Sequence, residues 1–232
     1  MSRTVVIHQP DFLPWLGFFH RLLKADLFIA LDHVQFVSGT ARSWTHRDRI
    51  KTPTGPRWLS LSVQKAPLGT PIRDILLAPD QAWRAKNLNL IRESYRKAPY
   101  FNEVFPPLEH LYGSNHTRLI DITLDAIRLL CVMLDIRIDQ SLSSDMSPTG
   151  SSNEMLVALL RQSGATRYLS GIGARDYFDP EPFARAKIEV VWQDFRHPVY
   201  PQLHGGFEPM LSAIDMLFNC GAERSRELLR SS

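Results

Sequence analysis

An α/β fold with a mainly parallel sheet is what this sequence predicts, and three observations predict it. Short continuous apolar runs, Val5 to Ile7, Leu27 to Leu31 and IEVVWQDF from Ile188, have the length and residue types of strands covered on both faces. Segments of helical period separate them: PWLGFFHRLLK follows the first run, and SSNEMLVALLRQSGA precedes TRYLSG. Strand–helix–strand units of this kind cross over right-handed and lay their strands parallel, so helices come to cover both faces. The expectation is a Rossmann-like three-layer sandwich with a helical middle section. One domain is expected over residues 1–232, carrying a helical insertion at about 80–135.

The elements follow in order. Pro14 suits the opening turn of a helix, and Trp15, Phe18, Phe19 and Leu22 recur at i, i+3, i+4 and i+7, which predicts a helix from Pro14 to Lys24. ADLFIAL then returns to strand. The stretch TARSWTHRDRIKTPTGPRWLSLSV interleaves Arg42, His46, Arg47, Arg49, Lys51 and Arg57 with Trp44, and its end, WLSLSV, alternates as a strand. DQAWRAKNLNLIRESYRKAP reads as a helix capped by Asp80 and stopped before Pro99. NEVFPPLEHLYG reads as a shorter helix interrupted or started by its prolines. HTRLIDITLDAIRLLCVMLDI places Ile120, Leu124, Ile127, Cys131 and Leu134 on one helix face.

SSNEMLVALLRQSGA is a serine-capped helix ending at Gly164, TRYLSGIGARDYF a strand entering a glycine loop, and IEVVWQDF a buried strand. FEPMLSAIDMLFNCG is an apolar helix, except that Ser212, Asp215 and Asn219 share one stripe that faces either water or a polar cavity. Cys220, beside Gly221, reads as the end of that helix.

At 44% hydrophobic and 22% charged, the 232-residue chain has ordinary globular composition. No run approaches the ~20 apolar residues of a membrane span, and no signal-peptide core precedes the first strand. A soluble, cytoplasmic protein without a membrane span is expected. The two cysteines, Cys131 and Cys220, fit a reducing compartment and have no metal-ligand spacing. Cys131 reads as a small core hydrophobe rather than a nucleophile. The net charge of +3 is concentrated in the local arginine cluster, which is too small for a nucleic-acid surface, so no sequence-specific nucleic acid partner is expected.

Every apolar run stops at polar residues. His8 and Gln9 follow the first, Asp32, His33 and then Gln35 the second, Ser170 and Gly171 the third, Asp194 and His197 the last. In parallel α/β sheets ligands bind outside the carboxyl ends of the strands, so these groups converge on one edge. Polar residues also mark strand ends because turns begin there; it is the grouping that favours a site. His8 or His33, oriented by Asp32 or Asp215, supplies a candidate general base. Gln9, Gln35, Ser170 or the backbone of Gly171 and Gly173 are candidate donors to a developing oxyanion. Arg47, Arg49 and Lys51 form a candidate grip for an anionic donor, with a solvated hydrophilic loop as the alternative. SGIGARD is neither a dinucleotide fingerprint nor a Walker loop. No nucleophile stands out, so direct attack by an acceptor is expected over a covalent enzyme intermediate. No cofactor and no metal site is indicated.

IHQPDFLPWLGFFHRLLKADLFIALDHVQF, then RDRIK before a strand, YLSG, HPVYPQ and FEPMLSAIDMLFNCG resemble the WbqC family of bacterial proteins over nearly the whole chain. The matching positions are His8, Gln9, Pro14, Trp15, Asp32, Gln35, Arg47, Arg49, Ser170, Gly171, His197, Tyr200, Gln202 and Asp215. Phe12 stands where the family favours tyrosine, and the approach to the arginine motif is longer and poorer in asparagine. Family members occur in gene clusters for surface polysaccharide and other biosynthesis, and a glycine transferase role has been suggested for the polysaccharide members.

The resemblance implies a biosynthetic transferase that moves an acyl or aminoacyl group, glycyl among them, from an activated donor to an amine or hydroxyl. The implied substrate is a small molecule or a carrier-bound pantetheine thioester, with an acyl or peptidyl carrier protein as partner. His197, Tyr200 and Gln202 join the substrate-binding set on this ground. Two alternatives stand beside it. One is a nucleotide-dependent carboxylate-activating or nucleotidyl-transfer enzyme, although the paired HxGH arrangement is absent. The other is a noncatalytic module that presents a carrier-bound intermediate.

Overall fold

The strands of the computed structural model, which describes residues 2–38 and 43–232, are β1 (Thr4–His8), β2 (Leu27–Ala30), β3 (Arg47–Thr52), β4 (Gly55–Ser60), β5 (Asp139–Leu142), β6 (Arg167–Ser170) and β7 (Glu189–Trp192). Five of them form a parallel sheet in the order β5-β2-β1-β6-β7, and β3 and β4 pair as a separate antiparallel hairpin. The helices are α1 (Leu16–Leu23), α2 (Ala82–Tyr95), α3 (Phe101–Tyr112), α4 (Leu119–Met133), α5 (Ser143–Met146), α6 (Ser152–Gln162), α7 (Glu181–Ala186) and α8 (Ala213–Arg230). The α/β sandwich expected from the apolar runs is the fold observed.

Alternating side chains of the sheet enter two cores. Val6, Phe28 and Ala30 pack with Leu16, Phe18 and Leu22 of α1 and Leu217 of α8, in a core that also takes in α2, α3 and α4. Val5, Ile7, Leu27 and Ile29 pack with Val157 and Leu160 of α6 and Phe183 of α7. Burial on both faces explains why β1 and β2 read as unbroken apolar runs.

From β1 the chain winds outward through β2 to β5, then returns to the other side for β6 and β7, so the winding reverses between β1 and β6. The β1–β2, β2–β5 and β6–β7 pairings each carry four residue pairs. The β1–β6 pairing carries only Thr4↔Arg167 and Val5↔Tyr168. The carboxyl ends of β1 and β6 flank the point where the winding reverses, the crevice position of this sheet. That is the switch point at which open α/β sheets take their ligands.

Several elements depart from expectation. The arginine stretch is not a loop but the strand β3, which pairs with β4 from Arg47↔Ser60 to Thr52↔Gly55. Arg42, part of the expected cluster, lies outside the described residues. β7 was expected to be fully buried, yet as an edge strand it leaves Glu189 exposed and the rest half-buried. The opposite edge strand, β5, reads DQSL and is too polar for the apolar-run signal. α3 continues through Pro106 and Pro107 because Val104, Phe105, Leu108 and Leu111 anchor it in the core. Cys220 precedes a kink rather than a helix end. Gly221 takes φ 72°, and a Cβ there would stand 2.5 Å from the Tyr100 ring, so only glycine allows the approach. Among the described residues no helix is long and apolar enough to cross a membrane.

Candidate functional site

The loop leaving β1 is fixed from two sides before it enters α1. Phe12 N–H donates to the Trp44 carbonyl at 3.2 Å, Ala213 N–H to the Pro14 carbonyl at 2.9 Å, and Ser212 Oγ to the Leu13 carbonyl at 2.6 Å. Leu13 is held at φ 47°, uncommon for a residue with a Cβ. This bracing aims His8, Gln9 and Asp11 at the crevice between β1 and β6.

His8 Nδ1 lies 2.8 Å from the Gln9 carbonyl. A carbonyl only accepts, so Nδ1 carries the proton and Nε2 offers a lone pair. Asp11 Oδ2 stands 3.5 Å from the same Nδ1. Burial, aided by the charge of Arg21, pushes the His8 imidazole down to about 3. About a third of the side chain, 35%, reaches solvent, so water offsets part of that effect, and the ring is neutral at pH 7 either way. Burial pushes the Asp11 carboxyl up to about 7, against the opposing pull of Arg21. Two neighbours thus titrate on opposite sides of their ordinary values, as acid–base pairs in active sites do.

Arg21 rises from α1 beneath Gly171, where an ideal Cβ on the glycine would come within 3.4 Å of Nη1. It is 6% exposed, and among the described residues no hydrogen bond or ion pair engages its guanidinium. Ser170 Oγ, at the end of β6, donates to Tyr168 Oη at 3.5 Å. Gln9 Oε1 accepts from Thr45 Oγ1 at 3.3 Å. Buried Asp48 belongs to the same electrostatic neighbourhood: burial first, and then the Asp11 charge, raise its carboxyl well above the usual range, while the Arg49 N–H at 2.6 Å opposes.

The expected orienting carboxylates are placed elsewhere. Asp32 does not orient His8. It accepts from Ser143 Oγ (2.9 Å), Ser144 N–H (2.9 Å) and Ser144 Oγ (2.6 Å), locking the end of β2 to the chain after β5. Through Ser143 it does reach His33, whose Nδ1 is 2.6 Å from that hydroxyl, while His33 Nε2 meets Met155 Sδ at 3.1 Å. Gln35 is exposed and bridges to Pro71, outside the crevice.

Asp215 touches no histidine. Its carboxylate accepts from Tyr95 Oη at 2.7 Å and Tyr200 Oη at 2.9 Å. Tyr95 Oη in turn accepts from Lys51 N–H at 3.1 Å. Lys51 Nζ donates to Gln202 Oε1 (3.1 Å) and to the carbonyls of Gly205 (2.5 Å) and Gly206 (2.6 Å). Asn219 donates to the Asp215 carbonyl at 2.7 Å and accepts from Leu203 N–H. The polar stripe therefore faces neither water nor a cavity: Asp215 and Asn219 pin the 197–210 loop, and Ser212 pins the loop after β1. His197 has both nitrogens committed inside that loop, to the Pro198 carbonyl (2.9 Å) and to Met210 N–H (3.2 Å).

Arg47 lies over the Trp58 ring at 4.3 Å and Arg49 at 5.9 Å, with Trp44 packed against the same ring. Two adjoining grooves of about 500 and 430 Å³ run between the hairpin and α2, lined by Trp58, Arg57, Lys86, Arg96 and Lys97. Neither includes a crevice residue, so concavity and chemistry do not coincide. We place the site with the chemistry, because shape alone supplies neither base nor acid. Cys131 and Cys220 are buried free thiols; burial pushes the first up to about 12 and raises the second as well. No group of three or more metal-ligating side chains is assembled among the described residues.

Of the expected residues, His8 with Gln9, and Ser170 with Gly171, stand at the carboxyl ends of the neighbouring strands β1 and β6. Asp11, Arg21 and Asp48 were missed. Asp11 sits within HQPDF, three residues past His8, but beyond the strand end that served as the marker. Arg21, in the last turn of α1, looks like an ordinary cation at a helix C-terminus.

The WbqC-like protein family model matches residues 9–227. The uncharacterized protein Rv1507c of Mycobacterium tuberculosis is 36% identical over 228 residues, covering 95% of each chain. No solved structure matches significantly. With the family pattern spanning the braced loop, the hairpin and α8, the chain belongs to the WbqC-like protein family.

Proposed function

We propose that this protein is a biosynthetic transferase that moves an acyl or aminoacyl group, glycyl included, from an activated donor to an amine or hydroxyl acceptor, in the crevice between β1 and β6. One observation carries the reading: neutral His8, with Nε2 as acceptor, beside the buried Asp11 carboxyl 3.5 Å from Nδ1. The acceptor bonds the acyl carbon while its N–H or O–H proton passes to His8 Nε2. The tetrahedral intermediate then collapses, the bond from carbon to leaving group breaks, and His8 returns the proton to the leaving group. Ionised Asp11 stabilises the imidazolium between these steps. Gln9, Ser170 and the Gly171 N–H are the nearby candidates to receive the oxyanion.

The donor in this reading is a small-molecule or pantetheine thioester, delivered free or on an acyl or peptidyl carrier protein. Arg47 and Arg49 grip its anionic part. A nucleotide-dependent carboxylate-activating enzyme is the second reading, favoured by the strand order, since doubly wound sheets take nucleotides at the switch point. Against it, the β1–α1 turn, HQPDFLP, has no glycine to admit phosphates. Mass spectrometry of the protein incubated with acyl- and aminoacyl-pantetheine thioesters and mixed amine or hydroxyl acceptors tests the first reading, and ATP with free carboxylates tests the second. A new amide or ester from a thioester supports transfer. Release of pyrophosphate or ADP in the ATP arm, with thioesters untouched, replaces transfer by activation.

A further inference from the structure

Among the described residues, no hydrogen bond or ion pair engages the guanidinium of Arg21, a buried charge at the crevice. It belongs to α1, which is buried from Leu16 to Leu22, and its side chain reaches back towards the helix N-terminus, as long helical side chains do. That direction brings the guanidinium to the carboxyl-terminal edge of the sheet, beneath Gly171, at the ends of β1 and β6. Buried guanidinium groups are ordinarily paired, because an uncompensated buried charge is among the most destabilising arrangements in a fold. Here, among the described residues, Nε has no acceptor and no carboxylate lies within ion-pair distance. Arg21 also touches Phe18 through its ring face, at 5.9 Å, which holds the fork without neutralising it.

We infer that Arg21 is the seat for the carboxylate of a small substrate, held bidentately in front of Gly171, with the substrate's reacting group turned towards His8. This deepens the transferase reading and rests on it for the reaction, though not for the binding. Three features select the ligand chemistry. A guanidinium fork matches the two oxygens of a carboxylate. One fixed cation is neutralised by one negative charge, whereas a phosphate dianion would leave an excess beside Asp11 and Asp48, two carboxyls that already interact. The bare Cα of Gly171 leaves open the space in front of Nη1 that any side chain would narrow. The Tyr168 hydroxyl and the Asp11 carboxyl are the other groups whose charge bears on Arg21.

The test uses the whole chain and simple probes at constant ionic strength: sodium acetate, sodium glycolate and inorganic phosphate against chloride, read by thermal unfolding and calorimetry. Acetate and glycolate are expected to raise the melting temperature of the wild-type protein and chloride not to. Their affinity should fall about 10- to 100-fold in Arg21→Met, the usual weight of hydrogen bonds to a charged group, with Arg21→Lys in between. Without probe, Arg21→Met should melt no lower than wild type, because a buried unpaired charge has been removed; a structural arginine would give the opposite. Should Arg21→Met not fold, Gly171→Val, which keeps the arginine but fills the space before it, should fold and lose the acetate response. The inference is overturned by a carboxylate response that is equal in wild type and Arg21→Met, by none in wild type, or by phosphate binding in preference to acetate. Arg21-dependent acetate binding with no acyl transfer would sink the transferase reading alone, and His8-dependent turnover with no Arg21-dependent binding would sink this one alone.

Discussion

The Asp215 network and the His8 crevice bury the same kinds of side chain, an aspartate, a cation and tyrosine, and they differ in whether the bonds close. Around Asp215, each carboxylate oxygen has a tyrosine hydroxyl, and Lys51 Nζ has three oxygen partners. In the crevice, Nε of Arg21 has none, and His8 and Asp11 are pushed in opposite directions by burial. A closed network ties a loop to a helix and tolerates nothing new. An open one, held at a strand-end crevice by a braced backbone, has bonding capacity left for a substrate. Both regions contain positions matching the family pattern, so the family signal does not separate strut from site; hydrogen-bond satisfaction does.

The sharpest way to break this division is to exchange the expected phenotypes. His8→Ala should lower turnover of the donor about 10²- to 10⁴-fold and shift the urea midpoint little. Full turnover in a folded His8→Ala protein would move the base to His33, which Asp32 orients through Ser143. Asp215→Ala should do the reverse. It orphans two buried tyrosine hydroxyls at about 1–3 kcal/mol each, so chemical unfolding should show a loss of roughly 2–6 kcal/mol. A variant of near wild-type stability with no activity would instead make Asp215 part of the site.

A smaller effect lies in the pH dependence of stability. The folded-state value of His8 lies below its unfolded value, so the unfolded chain binds the extra proton between about pH 3 and 6.5, and this group's contribution rises with pH across that window. Asp11 has the opposite sign. Its folded value of about 7 exceeds 3.8, the folded chain keeps the proton, and its contribution falls as pH rises from about 4 to 7. Relative to wild type, His8→Ala should therefore gain stability as pH falls below 6.5, and Asp11→Asn should gain it as pH rises through 4 to 7. Flat difference curves would mean that neither group is desolvated. The smallest effect is expected at the thiols: Cys131→Ser and Cys220→Ser should keep turnover within a few-fold of wild type, since burial holds both sulfurs protonated.

The sheet was legible because burial on both faces leaves a simple mark, the unbroken runs VVI and LFIAL, and the chain order then places the switch point. The edge strand β5 was not, because it needs only one covered flank and can be written DQSL. The crevice was half legible. His8 and Ser170 stand directly at strand ends, where pattern reading looks. Asp11 and Arg21 enter by tertiary placement, one from a loop braced by Trp44 and Ala213, the other from the buried side of a helix. The Asp215 stripe was visible as polar residues on an apolar helix, but its partners come from α2, the hairpin and the 197–210 loop, and no local pattern predicts those pairings.

The central claim, that the His8–Asp11–Arg21 crevice is desolvated and electrostatically coupled, is tested most directly by following the Asp11 carboxyl carbon by 13C NMR across a pH titration, in wild type and in Arg21→Met. A midpoint near 7 in wild type that moves higher when Arg21 is removed is the result expected. A midpoint near 4 in both proteins would make Asp11 an ordinary solvated carboxylate and contradict the account.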